Sequence, residues 1–376
     1  MRIAHFTTVH PRADTRIFVK QVQALARRTG GGVAFLVQDG EGSVRTEGIS
    51  IIDTGRKFSS RQRRATSGAW RMFRAVRAAR PAVAHFHDPE LIPVGLALKL
   101  FGIKVIYDVH EDVPRQILRK HWIPALLRRP IAWAASFTEW IGARVFDAIV
   151  PATPKIAERF PAAKTVVVQN FPILDELVVP DPQPYAARAS AFAYVGGITR
   201  ERGIMEMLHA MKSLPANQGA RLELAGAFTP ANLEEEARAS GGWARVRFHG
   251  WADRPTVARL LGGCRAGFIL LHPNGRYEDS YPVKMFEYMA AGLPVITSDF
   301  PLWRHIVEGA GCGLLVDPLD PQAIADAMQW ILDHPAEAEE MGRRGRQAVV
   351  EKYNWEAESR KLIALYERLL FEGNAS

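Results

Sequence analysis

From the first residues to about residue 170, short runs of β-branched and aromatic residues alternate with stretches whose apolar positions recur every three or four residues. The first pattern marks strands and the second amphipathic helices. Strands are predicted at Ile3 to Thr7, Val33 to Val37, Ile49 to Asp53, Val83 to Phe86, Lys104 to Tyr107, Ala148 to Val150 and Thr165 to Val168. Helices are predicted at Arg16 to Arg28, Ser67 to Arg80 and Leu91 to Phe101. Strands that alternate with helices imply βαβ units and a parallel sheet.

The pattern lapses over Asp175 to Ala187, where prolines replace periodicity, and this stretch reads as a linker. It resumes with AFAYVGGITRERGI, a strand, a glycine turn and a helix. Further strands are predicted at Arg221 to Leu224, Val246 to His249, Ala266 to Leu270, Pro294 to Thr297 and Leu314 to Val316. The helices between them include Met205 to Met211, Pro282 to Ala291 and Pro321 to Leu332, and a last helix runs from Trp355 to Phe371. The expected fold is α/β, two Rossmann-like doubly wound domains at 1–178 and 188–355, facing across a cleft, with 356–376 packing back on the first. A length of 376 residues suits two domains at roughly 150 residues each. No G-x-G-x-x-G follows the first strand, which excludes a dinucleotide-dependent oxidoreductase.

Charge divides the chain further. Residues 1–170 hold 27 Lys/Arg against 13 Asp/Glu, whereas the remainder holds 21 against 27. The stretch 56–80 has nine basic residues and no acid, with Trp70, Phe73 and Val76 interleaved; a second, from Arg115 to Arg144, sets Arg119, Lys120, Arg128 and Arg129 beside Trp122, Trp133 and Trp140. Such a surface suits an anionic partner, a lipid headgroup layer or a nucleic acid; a solvated helix face is the simpler explanation. No apolar run reaches the length of a membrane span, and the polar N-terminus is not a secretory signal, so a cytoplasmic protein is expected. Cys264 and Cys312 have neither metal-ligand nor disulfide spacing.

The chemistry concentrates in HPNGRYEDSYPVKMFEYMAAGLPVITS, 272–298. A polar loop runs into a helix opened by Pro282 and closed by Gly292. The amides of Val283, Lys284 and Met285 would face a phosphate at the helix start, and Lys284 adds a charge. Glu287, one turn deeper on the same face, could accept hydrogen bonds from ribose hydroxyls, while Asp279 in the loop could hold sugar hydroxyls. In YVGGITRERGI, 194–204, Arg200 and Arg202 flank a glycine turn at Gly196 and Gly197 that could grip a diphosphate.

These segments resemble the signature of the retaining glycosyltransferases of family 4, which have the GT-B fold. Asp279 and Glu287 fall on that family's two acids, eight positions apart, followed by E-x-M-A-x-G-x-P-V at Glu287 to Val295. Arg202 takes the place of the family's phosphate-binding lysine, Gly197 stands where an arginine is usual, and Arg200 could supply that charge. FTTVHPRADTRIF (6–18) and VIYDVHEDVPRQI (105–117) are similar to a bacterial polysaccharide-building branch. By this resemblance His110 touches the donor sugar, and Asp14, Arg16 and Glu111 are acceptor-side candidates; Asp14 serves equally as a helix N-cap. The resemblance implies a nucleoside-diphosphate sugar as co-substrate, no cofactor or metal, and a lipid-linked or oligosaccharide acceptor at an anionic membrane surface. His85, His87, Asp88 and Glu90 look metal-like by composition only. The alternatives are a nucleic-acid-binding protein and a GT-B sugar-nucleotide epimerase.

Overall fold

The computed structural model describes residues 2–120, 123–177, 183–275 and 277–371. Trp122 and part of the expected linker therefore lie outside the described residues. The chain forms two compact units, Met1–Asn170 with Ala357–Ser376, and Phe171–Glu356.

In the first unit β1 (Ile3–Phe6), β2 (Val33–Val37), β3 (Val44–Thr46), β4 (Ile49–Asp53), β5 (Val83–Phe86), β6 (Lys104–Val109) and β7 (Ala148–Pro151) form one sheet in the order β3-β4-β2-β1-β5-β6-β7. All pairings are parallel except β3 with β4. In the second, β8 (Ala191–Val195), β9 (Arg221–Ala225), β10 (Val246–Gly250), β11 (Ala266–Ile269), β12 (Val295–Ser298) and β13 (Gly313–Val316) form a wholly parallel sheet, β10-β9-β8-β11-β12-β13. Strands β1, β2, β5, β11 and β12 are buried from end to end, as mostly apolar strands covered by helices on both faces require. Each sheet reverses its winding once, between β1 and β5 and between β8 and β11. The loops leaving those four strands sit where ligands of such sheets bind.

The structure departs from the sequence expectations in four places. The strand predicted at Thr165 to Val168 is reduced to one bridge, Ile149 with Thr165. The exposed β3 carries no apolar signal and was not foreseen. A 21-residue helix, Ala125–Val145, runs through Pro130, whose presence hides it from periodicity. Finally, the chain leaves the first unit at Asn170, earlier than the linker placed at Asp175 to Ala187. Phe171 and Leu177 are already buried in the second unit's core, and the Tyr185 hydroxyl donates to the Arg265 carbonyl at 2.6 Å.

Candidate active site

The loop after β8 is built on glycine. Gly196 has φ of 125°, a conformation side chains avoid, and a Cβ on neighbouring Gly226 would come within 1.9 Å of the Gly196 carbonyl oxygen. The strand end is fixed from the opposite side, where the Val195 amide donates to the Tyr288 hydroxyl at 2.8 Å. Within the turn the Gly197 carbonyl accepts from Arg202 Nη1 at 3.0 Å and from the Tyr194 hydroxyl at 2.8 Å.

Lys284 reaches the same turn from the helix Val283–Ala290, its Nζ 3.9 Å from the centre of the Tyr194 ring. That nitrogen is buried and makes no hydrogen bond. Burial above all, then the charge of Arg202, pushes Lys284 down to about 7, against the opposing pull of Glu287. The helix has no side-chain cap, so the amides of Val283 and Lys284 have no intrahelical acceptor. The Met285 amide does not join them: it donates to the Pro282 carbonyl at 3.0 Å. Pro282 is thus the N-cap rather than a first-turn residue.

Glu287 lies one turn on, and Arg254 Nη1 holds its Oε1 at 2.7 Å while Nη2 reaches Glu176 at 2.9 Å. Arg254, remote from Glu287 in sequence and outside every motif, carried no signal to find it by. Asp279 is exposed on the turn that follows Tyr277. Arg200 is not gathered with Arg202 and Lys284: it is exposed and ion-paired with Glu236, because an acidic helix, Leu233–Ala239, offers the nearer charge.

In the first unit Arg16, His85 and His87 belong to a buried network centred on Asp108, which is fully buried. Arg16 grips it through Nη2 at 2.7 Å and Nε at 3.3 Å and donates Nη1 to the Val168 carbonyl; Gln21 adds 2.7 Å and His87 Nδ1 3.1 Å. Arg16 is therefore a buried strut, its guanidinium taken up by Asp108 and the Val168 carbonyl. Although burial opposes ionisation, Arg16 foremost holds the Asp108 carboxyl well below its ordinary range.

That charge sets the tautomers around it. His87 Nδ1 donates to Asp108, so its Nε2 accepts from His5 Nδ1 at 3.0 Å. His5 Nε2 then accepts from the Tyr366 hydroxyl at 2.9 Å, whose oxygen accepts from His85 Nδ1 at 2.8 Å. His85 Nε2 is left without a partner. Burial keeps all three imidazoles neutral, lowering His87 to about 3 and His5 and His85 well below the usual value.

His110 Nε2 lies 3.4 Å from Asp108 Oδ2, with the ring still partly exposed. Asp14 caps the helix that starts at Thr15, accepting from the Ile17 amide at 2.8 Å. Despite the opposing effect of burial, its bonds to His10 and Ile17 hold it at about 2. Glu111 is exposed and accepts from the Gln116 amide.

The cluster His85, His87, Asp88 and Glu90 does not hold together. Asp88 turns to Thr7 and Thr8, and Glu90 to Arg64. A different trio, His85, His87 and Asp108, brings ligand atoms within 4.8 Å of one another. The chain just described takes up both nitrogens of His87 and Nδ1 of His85, leaving only His85 Nε2 without a bond among the described residues, and Arg16 supplies the positive charge opposite Asp108.

Two doubly wound sheets in one chain, with cations and a helix start gathered at the switch point of the second, define the GT-B class. Residues 15–170 match the sequence model described as a glycosyl transferase 4-like domain, and residues 183–348 that described as glycosyl transferases group 1. This chain belongs to the family-4-type glycosyltransferases. Glycogen synthase of Mycobacterium tuberculosis is 23% identical over 298 residues, spanning 77% of this chain and 69% of that protein. Among solved structures, sucrose-phosphate synthase from Thermosynechococcus elongatus superposes with a TM-score of 0.78 at 21% identity over 99% of both chains. Anabaena HepE in complex with UDP gives 0.72 at 11% identity, over 98% of this chain and 100% of that one.

Proposed function

We propose that the protein transfers a sugar, with retention of anomeric configuration, from a nucleoside diphosphate sugar held by the second unit to a hydroxyl acceptor. The observation that carries this reading is the convergence of Arg202, Lys284 and the uncapped helix start on the Gly196–Gly197 turn, with Glu287 one helical turn away. In the proposed step the bond from the anomeric carbon to the diphosphate oxygen breaks as the acceptor oxygen bonds to the same face. The departing diphosphate oxygen takes the acceptor's proton. Arg202, Lys284 and the free amides stabilise the charge gathering on that leaving group. His110 is proposed to touch the donor sugar only because the family resemblance implies it. The reaction on this reading needs no metal, so chelation with EDTA leaves turnover unchanged. Binding and hydrolysis of UDP-, GDP- and dTDP-sugars is the decisive screen, and binding of none would overturn the reading. Neither the nucleic-acid-binding nor the epimerase alternative is favoured by the family placement.

The acceptor is proposed to be a lipid-linked oligosaccharide in polysaccharide assembly, met at the cytoplasmic face of a membrane. No helix among the described residues is long and apolar enough to cross one. On the helix Ala125–Val145, however, Leu126 is 91% and Trp133 70% exposed, and Trp133, Phe137 and Trp140 stack in series. Arg128, Arg129 and Arg144 share this helix, a composition suited to anionic headgroups. Co-sedimentation with phosphatidylglycerol vesicles at physiological salt is the expected outcome; no binding would count against this partner.

A further inference from the structure

The two cations at the glycine turn of the second unit are placed one to each glycine. A Cβ added at Gly197 would meet Arg202 Nη1 at 2.9 Å, and one added at Gly196 would lie 3.5 Å from Lys284 Nζ. Arg202 already has a use in the protein, its bond to the Gly197 carbonyl, whereas Lys284 Nζ is buried against the face of Tyr194 with no hydrogen bond among the described residues. A buried ammonium whose three donors find no acceptor is costly. We propose that Lys284 and Arg202 form a paired seat for the donor's diphosphate, and that Lys284 takes up a proton as the donor binds. This rests on the reading that the second unit holds that diphosphate.

The groups facing Lys284 determine the direction. From β8 comes the neutral Tyr194 ring, and from the turn after it the positive Arg202, which disfavours a second charge. From its own helix comes Glu287, the one acid acting on it, and this is held by Arg254. Burial together with Arg202 brings the Lys284 ammonium down to about 7, so near neutral pH the empty site holds a mixture of amine and ammonium. A diphosphate brings two negative charges and acceptor oxygens to the unsatisfied nitrogen, and an opposite charge at that range favours the charged form. The proton comes from solvent and remains on Nζ while the nucleotide is bound. Raising the pH above about 7 empties the seat of its charge, and donor affinity then falls by up to about tenfold per pH unit.

The test is calorimetric titration of the full chain with UDP-glucose, GDP-mannose and dTDP-glucose, whose diphosphates have no group titrating near neutrality. Each titration is run in buffers of different ionisation enthalpy. Expected is an uptake approaching about one proton per donor at about pH 8.5 and close to none at about pH 6. Lys284→Arg should bind without uptake, since arginine does not deprotonate, and Lys284→Met should lose most of the affinity, with circular dichroism confirming that both fold. Donor binding to the wild type with no proton uptake, or undiminished uptake in Lys284→Arg, overturns the proposal and leaves the donor-site reading intact. Binding of none of the three donors overturns that reading and this one with it. The wild-type measurement decides even where a variant fails to fold.

Discussion

Asp108, near the end of β6 in the first unit, and Lys284, on the helix Val283–Ala290 in the second, are both ionisable side chains by the carboxyl ends of a parallel sheet's strands, yet they are handled in opposite ways. Asp108 is enclosed by donors from Arg16, Gln21 and His87, and a chain of imidazoles carries its polarity out to Tyr366 on the C-terminal helix. Among the described residues Lys284 Nζ has no hydrogen-bond partner. A charge that is fully solvated by the protein is part of the scaffold; one left unsatisfied in a folded core costs stability and persists where a ligand completes it. The contrast separates residues that hold the fold from residues that wait for a substrate.

The largest effect expected from this contrast is kinetic. Arg202→Ala removes a cation from the proposed leaving-group seat while leaving a half-exposed turn otherwise intact. Turnover of donor should fall by roughly two to four orders of magnitude, the range for losing one preorganised stabiliser of developing charge, with little change in melting temperature. Steady-state kinetics alongside thermal melts would check both halves; near wild-type turnover would remove Arg202 from the mechanism and erase the distinction between the units.

In the first unit the same kind of change should act on stability. Asp108→Asn leaves the Arg16 guanidinium buried opposite a neutral amide, whose own N–H group competes with the donors already aimed at that carboxylate. Breaking a buried pair in this way costs about 3–5 kcal/mol, read as a lowered denaturation midpoint at unchanged slope. A loss below about 1 kcal/mol would show that Asp108 is not the hub the geometry makes it.

How much of this was legible beforehand follows from where each signal lies. The buried strands were readable to within a residue or two, because a strand covered on both faces is mostly apolar: Val33–Val37 and Ala266–Ile269 are instances. Exposed β3 and the helix interrupted by Pro130 were not, since neither carries a clean period. The helix start at Pro282 and the positions of Lys284, Glu287 and Arg202 were legible as motifs. Pairings across long sequence separations were not. Nothing near Glu287 announces Arg254, nothing near Arg200 announces Glu236, and nothing near Arg16 announces Asp108, 92 residues away. A motif identifies which residues are unusual, whereas only the fold shows which of them are already spoken for.

The smallest effect is the sharpest for the comparison, because its sign is reversed. Lys284→Met replaces a buried, unpartnered amine by an apolar chain of similar length, so the empty second unit should gain about 1–2 kcal/mol near pH 7, the cost of burying a polar group without a bond. Lys284 is held near 7 in the folded protein, below the value of about 10.5 it has when unfolded. Between those two values the unfolded chain binds the proton that the folded chain lacks, so wild-type stability rises with pH across that window. The advantage of the methionine variant is therefore largest at pH 7 and below, and narrows as the pH approaches 10.5. Paired melts of the two proteins over that range isolate the effect from other titrating groups. A variant less stable than wild type near pH 7 would mean that Lys284 is satisfied in the folded protein after all, and that the two units treat their charges alike.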